Sequence, residues 1–404
     1  MKIRTRLARW MLRGGHPSDP ALAGWLSNNV STAGVFVTPD TAMRVAAVYS
    51  CVRVLSETLA SLPLVVYHRK PDGGKEVARN HWLSPMLARS PNSWMTSFEW
   101  REMAMAHSCL RGVTYTRVVS DRSGRRQFIP LHPDRVRCFL MDSGKLAYKV
   151  LQQNGGEQTL LQDEVLRIPF MTFDGINPIT PVQAQRETIG AAIATQEHSN
   201  RFWANDARPT GGWIEMEGDF KDDSARKSFR EQWQENSSGE NRHKVQFLKK
   251  GMKYHPFSMS MVDAQYIESQ KMQRSQIAGI YRVPPHFIGD MEKTSFASVE
   301  QQSLDFVVHT MNPWITRWEQ ALEAGLLTEA EQGEYAIRFS VDSLLRGDAT
   351  ARANYFRTAI LTGWLNRNEV REIENRNKAE GLDEFLAPLN MAPAPLLTDV
   401  IGGN

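Results

Sequence analysis

Residues 263–282, DAQYIESQKMQRSQIAGIYR, constrain what this chain can fold into more than any other stretch. They hold no proline, a single glycine and many straight-chain side chains, so the stretch predicts a helix. Yet Gln265, Glu268, Gln270, Lys271, Gln273, Arg274 and Gln276 surround the few apolar positions. A helix that is polar nearly all round bridges solvent or finds its partners outside its own domain. A lone monomer gains little by projecting such a helix into water, so the pattern predicts copies standing side by side. The stretch stops at Val283-Pro284-Pro285, since proline lacks an amide donor and restricts the residue before it.

The flanking sequence predicts a stalk. Thr180-Pro181-Val182-Gln183 combines a cap, an initial proline and a reciprocal glutamine, and predicts a second long helix running to about Asp206. Between the two helices, PTGGWIEM and HKVQFLKK predict strands around a polar helix spanning about 222–236. The organisation is therefore helix 179–206, small α/β insert 207–262, helix 263–282: an antiparallel pair with a knob at its end. A connector, 283–296, follows. Leu304, Val308, Met311, Ile315, Trp318 and Leu322 then recur at helical spacing, and Pro313 inside that stripe predicts a kink. YAIRFSVD alternates cleanly and predicts a strand returning to the first domain's sheet, closing a segment at 297–342. Residues 343–404 predict helices capped at Asp348 and Asn366, then a Pro- and Leu-rich tail.

The N-terminal part reads as an arm, 1–37, and an α+β domain, 38–178. The arm places five basic residues before its first acid, Asp19, which suits a solvated segment or one docking on a partner or nucleic acid. Thr38-Pro39 opens a helix carrying Val48, Cys51, Val52, Leu55, Leu59 and Leu62 on one stripe, ended by Pro63. Thr96 and Glu99 form a capping box for a helix ending near Gly112, and short β-rich runs fill 113–171.

Little in this chain points to catalysis. Lys+Arg exceed Asp+Glu by 48 − 45 = 3, which does not argue for a nucleic-acid coat. Cys51, Cys109 and Cys138 lie far apart, as free thiols in a reducing compartment do. No apolar run approaches the roughly 20 residues needed to span a bilayer. No phosphate-binding loop, H-E-x-x-H, G-x-S-x-G or paired Cys/His ligand spacing occurs, and the ten histidines are scattered. Asp72 with Lys75, and Asp163-Glu164, are the nearest approach to a metal-nuclease site, and such pairs are common in turns. The expectation is a structural or interaction protein with no cofactor, no metal and no enzymatic activity.

Four stretches carry a resemblance: AAVYSCVRVLSETLASLPLVVY, DAQYIESQKMQRSQIAGIYRVPPHFIGD, SFASVEQQSLDFVVHTMNPWITRWEQALEAGLL and FSVDSLLRGDATARANYFRTAILTGWLNRNEVR. With these in this order, from about Ala46 to Asn377, the chain resembles the portal proteins of long-tailed double-stranded DNA bacteriophages. One departure is NRNKAEGLDEF, where relatives often carry a proline pair and Gly-Gly-Asp.

The resemblance implies an α+β portal-type fold: an α/β wing (38–178), a two-helix stem (179–206 and 263–282), a small α/β clip (207–262), a tunnel loop (283–296), a kinked long helix braced against it, and a helical crown (343–404). It implies a homo-oligomeric ring, usually of twelve copies, at one capsid vertex of the virion. Double-stranded DNA would pass through it independently of sequence. Terminase, head-tail adaptor, major capsid and scaffolding proteins would be its partners, with no membrane. Lys271, Arg274 and Arg282 would face the channel from the stem, or make salt bridges between subunits. Pro284, Pro285, Phe287, Gly289, Asp290, Met291, Glu292 and Lys293 would form the tunnel loop, Pro313 the kink, and Glu240 and Lys249 the clip's docking surface. The alternatives are a DNA-processing enzyme such as a nuclease, which metal-dependent plasmid cleavage would reveal, and a monomeric head adaptor, which particle size would reveal.

Overall fold

Thr38 opens α1 (Pro39–Ala42) with a reciprocal cap, its hydroxyl accepting from Thr41 N while Thr41 Oγ1 accepts from Thr38 N at 2.7 Å. This computed structural model describes residues 29–71, 74–120, 124–204, 212–216, 218, 220, 222–236, 248, 251–256, 262–290, 296–341, 349–373 and 377–386. The turn closes at once, so the single helix expected from Thr38 is two: α1 and α2 (Ala46–Ser61). In α2, Val48, Cys51, Val52, Leu55 and Leu59 are buried at the expected spacing. β1 (Leu64–Arg69) and β2 (Lys75–Val77) form a hairpin, followed by α3 (Leu83–Ala88) and α4 (Ser97–Arg111). The Thr96–Glu99 capping box is formed, and Gly112 ends α4 in the left-handed region at φ +75°. Any side chain at Gly112 would run into the backbone carbonyl of Ile179, so close approach as well as the turn demands glycine there.

Two antiparallel three-stranded sheets follow. β3 (Val113–Ser120), β4 (Arg126–Leu131) and β8 (Val165–Pro169) pair in the order β4-β3-β8. The inserted β5 (Val136–Leu140), β6 (Leu146–Leu151) and β7 (Glu157–Leu161) pair in sequence order. Val113, Tyr115, Tyr148, Val150, Leu160 and Val165 pack as one buried cluster drawn from both sheets. The hairpin β9 (Met171–Thr172) and β10 (Pro178–Ile179) then leads to the helices that follow Thr180.

The expected 179–206 helix is broken near its start into α5 (Pro181–Ala184) and α6 (Arg186–Ala204). The Thr180–Gln183 capping box does not form, because the Thr180 hydroxyl turns to the carbonyl of Arg111 at 3.4 Å. Helical dihedrals lapse at Gln185, where φ is −112° and ψ 30°. Part of the expected arm packs here: Thr32 donates from its amide and its hydroxyl to Glu187 of α6 at 2.9 and 2.6 Å.

In the insert, β11 (Gly212–Met216) and α7 (Asp223–Asn236) agree with expectation. The strand that pairs with β11 is β12 (Met252–Pro256), antiparallel, which the sequence pattern did not single out. HKVQFLKK lies outside the described residues except Leu248.

α8 (Val262–Tyr281) is the polar helix. After the connector come α9 (Phe296–Asp305), a π-helical segment at Phe306–Met311, and α10 (Asn312–Leu326). α10 lies on β8, and its Trp318 meets Trp100 of α4 edge-on with ring centroids 5.9 Å apart, both fully buried. α11 (Glu329–Glu334) leads into β13 (Tyr335–Phe339), which joins a sheet of order β13-β1-β2, so the late strand does return to the first domain.

The chain divides into two compact units, one holding 1–61 with 66–337 and the other 62–65 with 338–404. In the second unit, α12 (Ala349–Leu361) turns at Gly363 and α13 (Arg367–Ile373) follows. Asn366 and Glu369 cap α13 reciprocally at 2.7 and 2.8 Å. Buried Asn368 exchanges two hydrogen bonds with the backbone of Ala379, pinning the stretch after α13. The architecture as a whole is α+β. No helix among the described residues is long and apolar enough to cross a membrane.

Candidate functional site

The exposed length of α8 and the turn that ends it form the most informative region. Along α8, Glu268, Ser269, Met272, Arg274, Ser275 and Gln276 are exposed; among its described side chains the buried ones, Ile277, Ala278 and Tyr281, lie near its end. Gln273 Nε2 donates to Thr195 Oγ1 of α6 at 3.0 Å, tying the two long helices together. At the buried end the Tyr281 hydroxyl donates to the Cys109 carbonyl at 3.5 Å. Desolvation there raises the Tyr281 phenol and the Cys109 thiol, and pushes the Cys51 thiol up to about 12. Thiols held in that form are poor nucleophiles, and this end of the helix is structural.

The prolines are not what ends α8. Arg282 adopts φ +54°, the left-handed region; among the described residues no other non-glycine does. Its amide donates to Gly279 O at 3.2 Å, and the Val283 amide donates to Ala278 O at 3.0 Å. That pair of bonds is a Schellman cap with arginine where glycine is usual, closed by buried Val283 over buried Ala278. Pro284 and Pro285 then start a new piece, a 3-10 turn at Pro285–Ile288. It closes in the same way: Gly289 at φ +84° donates to His286 O, and the Asp290 amide donates to Pro285 O at 3.0 Å.

The first half of the expected loop is therefore a structured double turn packed against the next helix. Phe287 lies 5.1 Å from the Phe306 ring, and His286 Nδ1 is 2.9 Å from Gln302 Oε1. Pro284, Pro285 and Asp290 are half-buried. Met291, Glu292 and Lys293 lie outside the described residues, as do the clip positions Glu240 and Lys249.

Pro313 acts through the helix register. Its ring cannot sit against the carbonyl four residues back in a continuous α-helix. The turn before it is widened instead: Asn312 N donates to Val307 O, five residues back, and Phe306–Met311 is π-helical. The expected stripe is split as a result. Met311, Ile315, Trp318 and Leu322 are buried, but Leu304 is 45 % and Val308 55 % exposed, while Phe306 is 5 % exposed and Thr310 is buried. The buried Thr310 hydroxyl donates to the Arg282 carbonyl at 2.7 Å, joining the π segment to the strained cap. Sequence reasoning missed Phe306, Thr310, His286 and Gln302 as parts of this site. The single signal pointing to them was Pro313.

Of the three cations expected to face a channel, Lys271 is half-buried and Arg274 and Arg282 are exposed. Lys271 and Arg274 stand three residues apart on one helix face, and Arg282 lies roughly 12 Å further along the axis. Among the described residues no group of three or more His, Cys, Asp or Glu is placed to hold a metal ion. A shallow hollow of about 440 Å³ beside Phe173, Asp174, Pro178 and Gln183 has no His, Cys or Ser in its lining.

Residues 46–375 match the protein family described as Phage portal protein. The chain is 28 % identical to the portal protein of Enterobacteria phage HK97 over 401 residues, covering 96 % of this chain and 92 % of that one. It is 29 % identical to the probable portal protein of Streptomyces phage phiC31 over 393 residues, covering 94 % and 85 %. In fold it is similar to an HK97-family phage portal protein from Corynebacterium diphtheriae, with TM-score 0.58 and 17 % identity over 78 % of this chain and 99 % of that one. It is also similar to a chain from the neck of a native gene transfer agent particle computed with C12 symmetry. There the TM-score is 0.56 and the identity 21 %, over 83 % of this chain and 93 % of the other.

Proposed function

The chain belongs to the phage portal protein family, and from that premise we propose that it assembles with copies of itself into a twelve-membered ring. The ring sits at one capsid vertex and conducts double-stranded DNA during packaging and ejection. The observation that carries this reading is α8: a long helix tied to α6 by Gln273, yet exposed at Met272, Arg274, Ser275 and Gln276 in the single chain. A helix of that kind is explained when neighbouring copies flank it and its remaining face meets a water-filled channel. A heterologous, head-to-tail contact repeated around an axis closes into such a ring. The neck structure computed with C12 symmetry supports twelve as the copy number.

In this reading the protein is structural and hydrolyses nothing; ATP hydrolysis belongs to the terminase, which docks on the insert carrying β11, α7 and β12. Head-tail adaptors use the same surface after packaging, and capsid and scaffolding proteins contact the wing. DNA contact is loose and independent of sequence, since each phosphate neutralised tightly would hold back a sliding duplex. The near-balance of 48 basic and 45 acidic residues suits this. Negative-stain images and light scattering of the purified chain test the reading. Rings with a central hole are expected, and a stable single-chain mass at micromolar concentration and moderate salt would overturn it.

A further inference from the structure

Leu304 and Val308 extend the buried row Met311, Ile315, Trp318 and Leu322 at α-helical spacing, and yet both are exposed. One turn of π-helix accounts for this. It inserts an extra residue, so everything upstream is rotated by about 100° about the helix axis. Phe306 and Thr310 are the buried side chains of the rotated segment, while Leu304 and Val308 are carried out of the apolar row. The sequence therefore supports two registers with comparable apolar faces. In the π register, Phe306 packs on Phe287 and Thr310 holds the Arg282 carbonyl. In the α register Leu304 and Val308 turn inward, Phe306 turns outward and its packing on Phe287 is lost, and the carbonyls around Thr310 re-pair.

We propose that Phe306–Met311 is a two-register switch: slipping from π to α rotates α9, buries Leu304 and Val308, and frees the double turn at Arg282–Asp290. Three features hold the π state. Pro313 obstructs α closure from below. Thr310 bonds the Arg282 carbonyl at 2.7 Å. Phe287 and His286 contact Phe306 and Gln302. Opposing them are two aliphatic side chains left exposed. Two packings of one segment with opposed preferences of this kind make a bistable element. The inference concerns the chain itself and stands whether or not the ring reading does.

The test is thiol labelling of the full chain in a Cys138→Ser background, since Cys51 and Cys109 are buried. Leu304→Cys and Val308→Cys report the register, and Gln320→Cys, on the exposed side of α10, reports unrelated change. All are compared at one particle mass by light scattering. Maleimide should react quickly at all three positions in the parent. Adding Pro313→Ala should slow labelling at 304 and 308 by about tenfold and leave 320 unchanged, as a population shift toward the α register requires. Thr310→Val, which keeps the shape and removes the hydroxyl, should act in the same direction, and Thr310→Ser should not. If Pro313→Ala fails to fold, Thr310→Val decides alone. Unchanged labelling at 304 and 308 in a folded Thr310→Val protein overturns the switch, and so does protection of both positions in the parent.

Discussion

Met272 and Gln273 are neighbours in sequence on opposite sides of a structural boundary. Gln273 is half-buried and donates to Thr195 of the companion helix, whereas Met272, about 100° round the helix, is 62 % exposed. A thioether left in water contributes nothing to the single chain, so Met272→Asp should leave its melting temperature nearly unchanged, within about 0.5 kcal/mol of stability. In a ring the same side chain is covered, and a carboxylate there should weaken assembly. Calorimetry beside light scattering checks both halves; normal rings from Met272→Asp would remove this face from the subunit contact.

Gly112 stands where the end of α4 meets β10. It needs φ +75°, and a β-carbon there would strike the Ile179 carbonyl, a backbone group that cannot step aside. Gly112→Ala should therefore destabilise by about 2 kcal/mol or more, in the upper range for single substitutions. Urea unfolding measures it. Gly144→Ala is the control: it shares the positive φ but has open space around it, so only the backbone penalty should appear.

The two glycines also show what was legible in the sequence. Gly112 could be read as a helix end because local rules decide it: a capping box at Thr96, an apolar stripe, then glycine. The same rules gave α2, α7, α8 and the Asn366 cap of α13. They failed wherever a distant partner took over a local group. Thr180 looked like an N-cap, but its hydroxyl is drawn to Arg111, sixty-nine residues earlier. The role of Thr310 depends on a carbonyl twenty-eight residues away, across the connector. The split of the Leu304 stripe was illegible for another reason: a π turn leaves the sequence periodicity untouched and changes only which face it points to. β12 was missed because MKYHP is only five residues long and ends in proline, and it is held as a strand by pairing with β11.

Burial holds the His107 imidazole at about 4, well below its ordinary 6.5, and the nearby His132 and Arg111 push the same way, with Asp134 opposing. The unfolded chain takes up this proton near 6.5, and the folded chain refuses it until about 4. Stability is therefore fully present above about 6.5, falls as pH drops through that window, and loses nothing further from this group below about 4. From His107 alone the loss at pH 5 is roughly 2 kcal/mol. His81 and His132 are also lowered by burial and act in the same direction. Urea midpoints at pH 7 and pH 5 should differ in the parent and differ less in His107→Gln. An unchanged difference in that variant would mean that other groups carry the acid sensitivity.

Arg282 poses a sharper question, because folding alone would prefer another residue. Its left-handed backbone closes the Schellman cap of α8, and glycine occupies that position at little steric cost. Its side chain is exposed, so the cap gains nothing evident from the guanidinium. Arg282→Gly should therefore raise stability by about 0.5–1 kcal/mol, the left-handed strain relieved less the added freedom of the unfolded chain. Arg282→Ala should gain nothing, since alanine shares the strain. If the guanidinium serves the channel, the stabilised glycine variant should form normal rings and still package or retain DNA less well. Arg282→Lys should then recover most of that loss, because a positive charge is what a passing phosphate meets. A lower melting temperature for Arg282→Gly would refute the strain argument. Full packaging with a raised melting temperature would leave the strain argument intact and remove Arg282 from the channel wall.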